Sequence, residues 1–269
     1  MTATVMQGTN STQVLKTNFY KENEEMKRMI PMAAMAVLLT NWNGSQAMAA
    51  EATAAVDINS AYVWRGLTFN DGIVVQPSME VTSGGFTFNV WGNVDVDDYD
   101  DTLETGDFSE VDLAASYTYS IGSVEASVGV IEYLFPAGGA STTEIFASAG
   151  MDIGAGFSTG VELYYDFDQV DDFYAVLSVG YAYDFSDKLG MELGVSASYA
   201  GEDFAMTYAE GTEAGLFNYN LSASLSYAVT EEFGVGLSLN YSDSLDDDVL
   251  PDEAVDAKFY GGLSLSYSF

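Results

Sequence analysis

Carboxylates are the main residues of this chain that could do chemistry. The sequence has 41 Asp and Glu residues against seven Lys and Arg, and it contains neither His nor Cys. The chain therefore lacks the commonest general base and metal ligand, any Ser–His hydrolase centre, and any disulfide or thiolate metal site. Glu125 and Glu144 lie on neighbouring predicted strands and could form an acid–base pair, but among so many acids a chance pair is the better interpretation. We expect no enzymatic activity and no cofactor.

Two acidic segments could bind cations. Asp95–Asp107 reads DVDDYDDTLETGD, and Ser244–Asp256 reads SLDDDVLPDEAVD. The first lacks the glycine that an EF-hand-like register requires at its sixth position, and the second is looser still. We interpret both as solvated loops without a metal site. The alternative is weak binding of divalent cations, which could bridge the loops to lipopolysaccharide.

Nucleic acid is excluded as a partner, because binding it requires a basic surface.

The N-terminus has the pattern of a targeting segment. Met26-Lys27-Arg28 is basic, Met29–Leu39 is apolar, and Ala47 and Ala49 supply small residues at a cleavage site. This order predicts a signal peptide over 26–49 and hence export. Residues 1–25 have no pattern and are interpreted as unstructured or as preceding the true start at Met26. Residues 50–269 then form the mature protein.

The elements that must position the carboxylates are β-strands. From Thr53 onward apolar and polar residues alternate with a period of two, and we find no convincing helical period. Twelve strands are predicted, near 54–64, 73–82, 85–96, 109–120, 122–133, 142–153, 156–167, 172–185, 188–200, 215–229, 232–242 and 257–269.

The connections between these strands alternate between short and long. Tight turns such as SGG and SIG are each followed by a longer loop such as DDYDDTLETGDF, and the chain ends in YSF. Short periplasmic turns, long outer loops, an even strand number and a terminal aromatic residue are typical of an outer-membrane barrel. The sequence therefore predicts an all-β fold, an antiparallel transmembrane β-barrel of about 12 strands. A secreted β-sandwich is the alternative.

The polar face of the strands should line the barrel interior. Its candidate pore-lining residues are Asp57, Glu80, Asn89, Asn93, Asp95, Asp112, Glu125, Glu144, Glu162, Asp166, Glu192 and Lys258. Ser and Gly fill most of the remaining inner positions, which leaves space for water. Because rings of carboxylates in a wet pore favour cations, we expect a porin-like channel for passive diffusion of small hydrophilic solutes, with a preference for cations. A plugged, non-conducting barrel with a structural or adhesive role is the alternative, and both a monomer and a homo-oligomer fit the sequence.

The segment YVWRGLTFNDGIVVQPSMEV, followed by FTFNVWGN, resembles the N-terminal signature of the TorF family of porin-like proteins. The residues that carry the resemblance are Tyr62, Arg65, Gly66, Asp71 and Gln76. The resemblance covers about forty residues and implies a porin-like barrel in the bacterial outer membrane, in contact with lipid and lipopolysaccharide.

Arg65 is one of three basic residues after position 49, with Lys188 and Lys258. Parity along the first predicted strand places Trp64 toward lipid at its outer end, so Arg65 should lie at the rim or mouth of the barrel. There it could pair with acids such as Asp95 or Asp97, or it could be an unpaired positive charge that affects ion selectivity. We favour the salt bridge.

Overall fold

The computed structural model describes residues 50–96 and 105–269. In this part of the chain twelve antiparallel strands close into a barrel, in which the first barrel strand pairs with both the second and the last. The barrel strands are β1 Glu51–Asn59, β4 Val74–Ser83, β5 Phe86–Asp95, β6 Phe108–Ile121, β7 Val124–Leu134, β8 Thr142–Gly154, β9 Phe157–Asp166, β10 Asp172–Ser186, β11 Leu189–Ala200, β12 Gly215–Ala228, β13 Phe233–Ser244 and β14 Phe259–Ser268. The predicted fold class is confirmed. The predicted signal peptide over 26–49 and residues 1–25 lie outside the described residues.

The two faces of the strands have opposite character. On β10, Leu177 and Val179 point outward, and the Leu177 side chain is 62% exposed. Ser178 and Gly180, which alternate with these two residues, face inward, opposite Ser196 and Gly194 of β11. Because the same alternation runs around the barrel, large apolar side chains form the outer surface and small or polar ones form the inner surface.

Turns of two lengths separate the ends of the barrel. The β4–β5 turn contains only Gly84 and Gly85, with φ angles of 59° and 86°, and positive φ at both central residues matches the twist of a two-residue hairpin. The longer connections, including 135–141 and 201–214, lie at the opposite end. We refer to this as the outer end.

The first long connection contains a hairpin of its own. Strands β2 Tyr62–Trp64 and β3 Leu67–Asn70 pair with each other and do not join the barrel sheet. The prediction of one continuous strand over 54–64 is therefore wrong at its outer end, because β1 stops at Asn59 and the chain turns into the barrel. The expected lipid-facing position of Trp64 is wrong for the same reason.

One helix and one 3-10 turn belong to the outer end. Helix α1 spans Glu202–Ala209, and the 3-10 turn spans Asp252–Ala254. The sequence pattern predicted no helix, and α1 corrects that expectation. Of the helical segments in the described ranges, none has both the length and the apolar character needed to span a bilayer.

Candidate functional site

The β2–β3 hairpin lies inside the outer end of the barrel. The Tyr62 hydroxyl donates to Glu110 Oε2 of β6 at 2.7 Å, and Arg65 reaches Glu144 of β8. On the other side, Gly66 packs against Asn218 of β12. A hairpin that touches three separated strands on their polar faces must occupy the barrel interior.

The turn of the hairpin depends on two residues with positive φ. Arg65 has φ of 52° and Gly66 has φ of 90°. A Cβ atom on Gly66 would lie 2.9 Å from Cβ of Asn218, closer than carbon atoms pack. Glycine is therefore required here both by its conformation and by the close approach of the β12 wall.

Arg65 forms a bidentate ion pair with Glu144. Its Nη1 and Nη2 atoms donate to Glu144 Oε1 and Oε2, each at 2.7 Å, and the Tyr133 hydroxyl donates to Oε2 at 2.9 Å. The two charged side chains are 9% and 1% exposed. Both charges are thus paired and almost fully buried. The planar guanidinium of Arg65 therefore fixes the tip of the hairpin to the opposite wall of the barrel. The structure thus has a salt bridge at Arg65, but its partner is Glu144 rather than Asp95; Asp97 lies outside the described residues.

Aromatic rings enclose the same guanidinium. Arg65 Cζ lies 4.3 Å from the ring centroids of Trp64 and Tyr164, 4.6 Å from that of Tyr174 and 5.5 Å from that of Phe204. These cation–π contacts favour the charged arginine at a site with little water. Parity placed Glu162 and Asp166 on the inner face, and Tyr164 lies between them on β9. The inward position of this ring could thus have been found from the sequence, whereas the convergence of the rings on Arg65 could not.

A chain of amide side chains supports the base of the hairpin. Asn59 Nδ2 donates to Gln76 Oε1 at 2.7 Å, and Gln76 Nε2 donates to Asn93 Oδ1 at 2.9 Å. Asn93 and Asn70 both donate to Asp95 Oδ1. The residues of the resemblance thus have structural roles in the hairpin or its wall, except Asp71, which is exposed in the turn after β3.

An apolar cluster packs around the hairpin at the outer end of the barrel. It combines Leu67 of the hairpin with Phe204 of α1, Phe217 of β12, and Val249 and Leu250 of the last long loop, all buried. Burial raises the pKa of the Tyr208 hydroxyl, which lies on α1 beside this cluster. The plug formed by the hairpin, α1 and residues 245–258 therefore narrows the outer mouth, and we refer to it as the outer plug.

Below the outer plug the barrel interior is open. Three adjoining cavities of about 540, 410 and 290 Å³ lie along β9–β14 and β1. Serine and glycine are the commonest residues of their walls; these residues include Ser158, Ser178, Gly180, Gly194, Ser196, Ser222, Ser224, Ser226, Gly236, Ser238, Gly262, Ser264 and Ser266. A barrel of twelve strands encloses more space than such short side chains can fill, so the interior stays open.

The predicted pore-lining residues fall into three groups. Strand register places one group on the inner face, where the side chains are at least partly accessible: Asp57, Glu80, Asn89, Asp112, Glu125, Glu162 and Glu192. A second group lies on the same face but is buried at the outer end, namely Asn93, Asp95, Glu144 and Asp166. Lys258 is different, because it lies in the loop before β14, where ion pairs with Asp243 and Asp252 at 2.8 and 3.0 Å raise its pKa.

The described residues contain no cluster of side chains that could hold a metal ion. Within 50–96 and 105–269, no three or more carboxylates converge in an arrangement that could hold a metal ion. Most of the acidic loop between β5 and β6 lies outside these ranges, and the loop 245–258 uses Asp252 to pair with Lys258.

The fold is similar to solved structures of porins. The KdgM porin in complex with disordered oligogalacturonate has 8% sequence identity and a TM-score of 0.52, with 81% of this chain and 99% of that chain covered. Another structure of the KdgM porin has 10% identity, the same TM-score and the same coverage. The NanC porin has 11% identity and a TM-score of 0.48, with 82% of this chain and 99% of that chain covered. At these identities the KdgM similarity shows the fold, a porin-like β-barrel.

Sequence comparison places the chain in a family. A search of the curated proteins found no match. A family model described as a bacterial protein of unknown function, Gcw_chp, matches residues 44–188. This match includes β1–β10 and the whole inward hairpin. The family model does not carry the TorF name, so the resemblance to that family stays a prediction. Because the match covers more than half of the 269 residues, the chain belongs to the Gcw_chp family.

Proposed function

We propose that this protein is a porin-like channel of the bacterial outer membrane that lets small hydrophilic solutes diffuse passively and prefers cations. The observation that carries the proposal is the charge inside the barrel. Asp57 and Glu192 line open cavities of the interior, whereas Arg65 inside the barrel is already paired with Glu144. Carboxylates without neighbouring cations make the interior negative, and this favours cations over anions.

The outer surface supports the proposed location. Large apolar side chains such as Leu177, Leu237 and Leu239 are exposed around the barrel, and a continuous apolar band is stable only against lipid. The acidic outer loops would then face lipopolysaccharide, with divalent cations as weak bridges between the two. Association into a homo-oligomer is compatible with this location.

The porins that the fold resembles support transport rather than enzymatic activity. One of them was solved with oligogalacturonate, a ligand made of sugar acids. An interior dominated by carboxylates would repel such an anion. We therefore propose a different solute class for this chain, with cationic and neutral solutes preferred over acidic ones.

Planar-bilayer recording of the folded barrel tests the proposal. In a KCl gradient we expect discrete conductance steps, and a reversal potential shifted toward the equilibrium potential of K⁺. A reversal potential shifted toward that of Cl⁻ would contradict the charge assignment of the interior. A correctly folded barrel that inserts but carries no current would contradict the channel itself.

A non-conducting barrel with a structural or adhesive role is the second candidate. It is favoured by the outer plug, because Leu67, Phe204 and Leu250 pack there without exposed surface. The same recordings separate the two candidates, since only the channel gives current in the wild-type protein.

A further inference from the structure

The interior cavity below the hairpin has an unusual wall. Its volume is about 540 Å³, and it lies between β1, β4 and β12–β14. Serine and glycine are common in this wall, as elsewhere in the interior, but here the wall also has three aromatic side chains, Tyr62, Trp91 and Tyr260, and the carboxylate of Asp57. This volume is in the range of small-molecule sites.

The charge on this wall has no counterion from the protein. Within residues 50–96 and 105–269, the Asp57 carboxylate makes no hydrogen bond or ion pair with another side chain. Its cross-strand neighbours on the inner face are Gln76 and Ser264, both uncharged. The three basic residues after position 49 are engaged elsewhere: Arg65 binds Glu144, Lys258 lies in the outer loop, and Lys188 binds Val229 O at the opposite end. A negative charge thus faces the cavity unpaired.

The polar groups around Asp57 are held in place. Asn59 and Gln76 are joined by a hydrogen bond of 2.7 Å, and Gln76 is joined in turn to Asn93. This chain of amides fixes the wall on one side of the carboxylate. On β13 and β14 the wall residues Gly236 and Ser264 have at most a hydroxymethyl side chain, so this part of the wall does not fill the cavity. The wall is therefore organised before any ligand arrives.

We infer that this cavity binds a small organic ammonium ion inside the barrel, with Asp57 as the charge partner and the rings of Trp91 and Tyr260 as cation–π contacts. An alkylated ammonium group is attracted to aromatic faces and to a carboxylate at once. Amide and hydroxyl groups of the wall bind the polar remainder of the molecule. This inference rests on the proposed channel function and names the solute class of its interior site.

A neutral saccharide is the main competing ligand, because hydroxyl and amide groups also bind sugars. It does not account for the unpaired carboxylate, whose charge a neutral ligand leaves uncompensated. Choline and maltose are therefore suitable as paired probes, one cationic and one neutral.

The test measures block of K⁺ current by choline in planar bilayers, and choline binding by titration calorimetry of the full barrel in detergent. We expect choline to reduce the current in a concentration-dependent way and maltose to have no effect. Asp57→Asn should raise the half-blocking concentration of choline about tenfold, because the charge partner is lost. Glu80→Gln is the matched control: it removes a carboxylate from the inner face of the neighbouring strand β4, outside this cavity, and should change the half-blocking concentration less than about twofold.

Tyr260 gives a second, independent pair of variants. Tyr260→Phe retains the ring and should leave choline block nearly unchanged, whereas Tyr260→Leu removes it and should weaken block about fivefold. Equal effects of the two variants would contradict the cation–π contact.

The two measurements separate failure of the site from failure of the channel. Current without choline block or binding would overturn the site and leave the channel. Choline binding in detergent that Asp57→Asn weakens, in a barrel that carries no current, would support the site and overturn the channel. Binding of maltose but not of choline would overturn the inference in favour of a saccharide site.

Discussion

At the scale of the residue, Arg65 shows how one charge can organise the outer mouth. It pairs in a bidentate manner with Glu144 and is covered by the rings of Trp64, Tyr164 and Tyr174. A buried charge requires such partners, since desolvating it alone costs far more than a protein's net stability.

Arg65→Gln should therefore destabilise the barrel. The substitution leaves Glu144 buried without its partner, and the free energy of unfolding should fall by about 3–5 kcal/mol, as measured by guanidinium titration of the detergent-folded protein. Arg65→Lys keeps the charge but loses the planar fork, so we expect an intermediate loss. The Arg65→Gln/Glu144→Gln double variant should lose less than the sum of the two single variants, because it leaves no unpaired charge. A loss below about 1 kcal/mol for Arg65→Gln would contradict the pairing.

The sequence contained only half of this arrangement. An arginine among so few cations, beside Trp64 and Gly66, predicted a salt bridge near the outer end. Its partner, Glu144, is 79 positions away in the chain, and no local pattern connects them. Parity placed Glu144 on the inner face, but the parity used for Arg65 belonged to a strand that ends at Asn59. Only closure of the barrel brings β8 opposite the hairpin.

Gly66→Ala should cost more than the same change at Gly106. Both glycines have φ of 90°, but a Cβ on Gly66 would meet Asn218, whereas no atom of the described residues lies within 4 Å of a Cβ on Gly106. The conformational strain of about 1–2 kcal/mol is thus shared by the two variants, and the difference in their unfolding free energies isolates the clash with β12. Equal losses would show that the hairpin does not pack against that wall.

At the scale of the element, the strands were predictable and the elements inside the barrel were not. Alternation located all twelve barrel strands because each has one face toward lipid and one toward the interior. The same alternation continued through Tyr62 and Trp64, although these residues belong to a hairpin that pairs only with itself. Helix α1 is eight residues long, and its only signal was the spacing of Phe204, Tyr208 and Ala209 along one face.

The hairpin should limit conductance. Asn59 and Val74 pair directly across β1 and β4, so a short Gly-Ser turn can replace residues 60–73 and keep the β1–β4 pairing. We expect the single-channel conductance to rise at least about twofold, because the narrowest part of the pore is removed.

Shortening the loop 135–141 is the control for this deletion. That loop connects β7 to β8 at the same end of the barrel and contributes no residue to the apolar cluster of the outer plug. Its shortening should leave conductance unchanged. If both deletions raised conductance equally, the constriction would lie in the outer loops rather than in the hairpin.

At the scale of the whole molecule, the barrel combines an apolar outside with an acidic inside. The chain has a formal net charge of −34 and a mean hydropathy of +0.07. Averaged over the whole chain, these two values do not distinguish a membrane protein from a soluble one. The alternation of the strands separates the two properties. Apolar side chains face outward, while carboxylates lie in the interior, in the outer loops and at short turns of the opposite end, as Asp187 and Glu231 do.

Adjacent residues on β10 test this separation in one experiment. Leu177 faces outward near the middle of its apolar band, and Ser178 faces the interior. Leu177→Arg places a charge in lipid and should lower the free energy of unfolding by about 2–4 kcal/mol. Ser178→Arg places the same charge in a wet interior, where it should cost little stability but shift the reversal potential in a KCl gradient toward that of Cl⁻. Because the side chain introduced is identical and the positions differ by one residue, the contrast depends on the face alone. The opposite result, a stability loss at 178 and a selectivity change at 177, would mean that the faces are assigned the wrong way round.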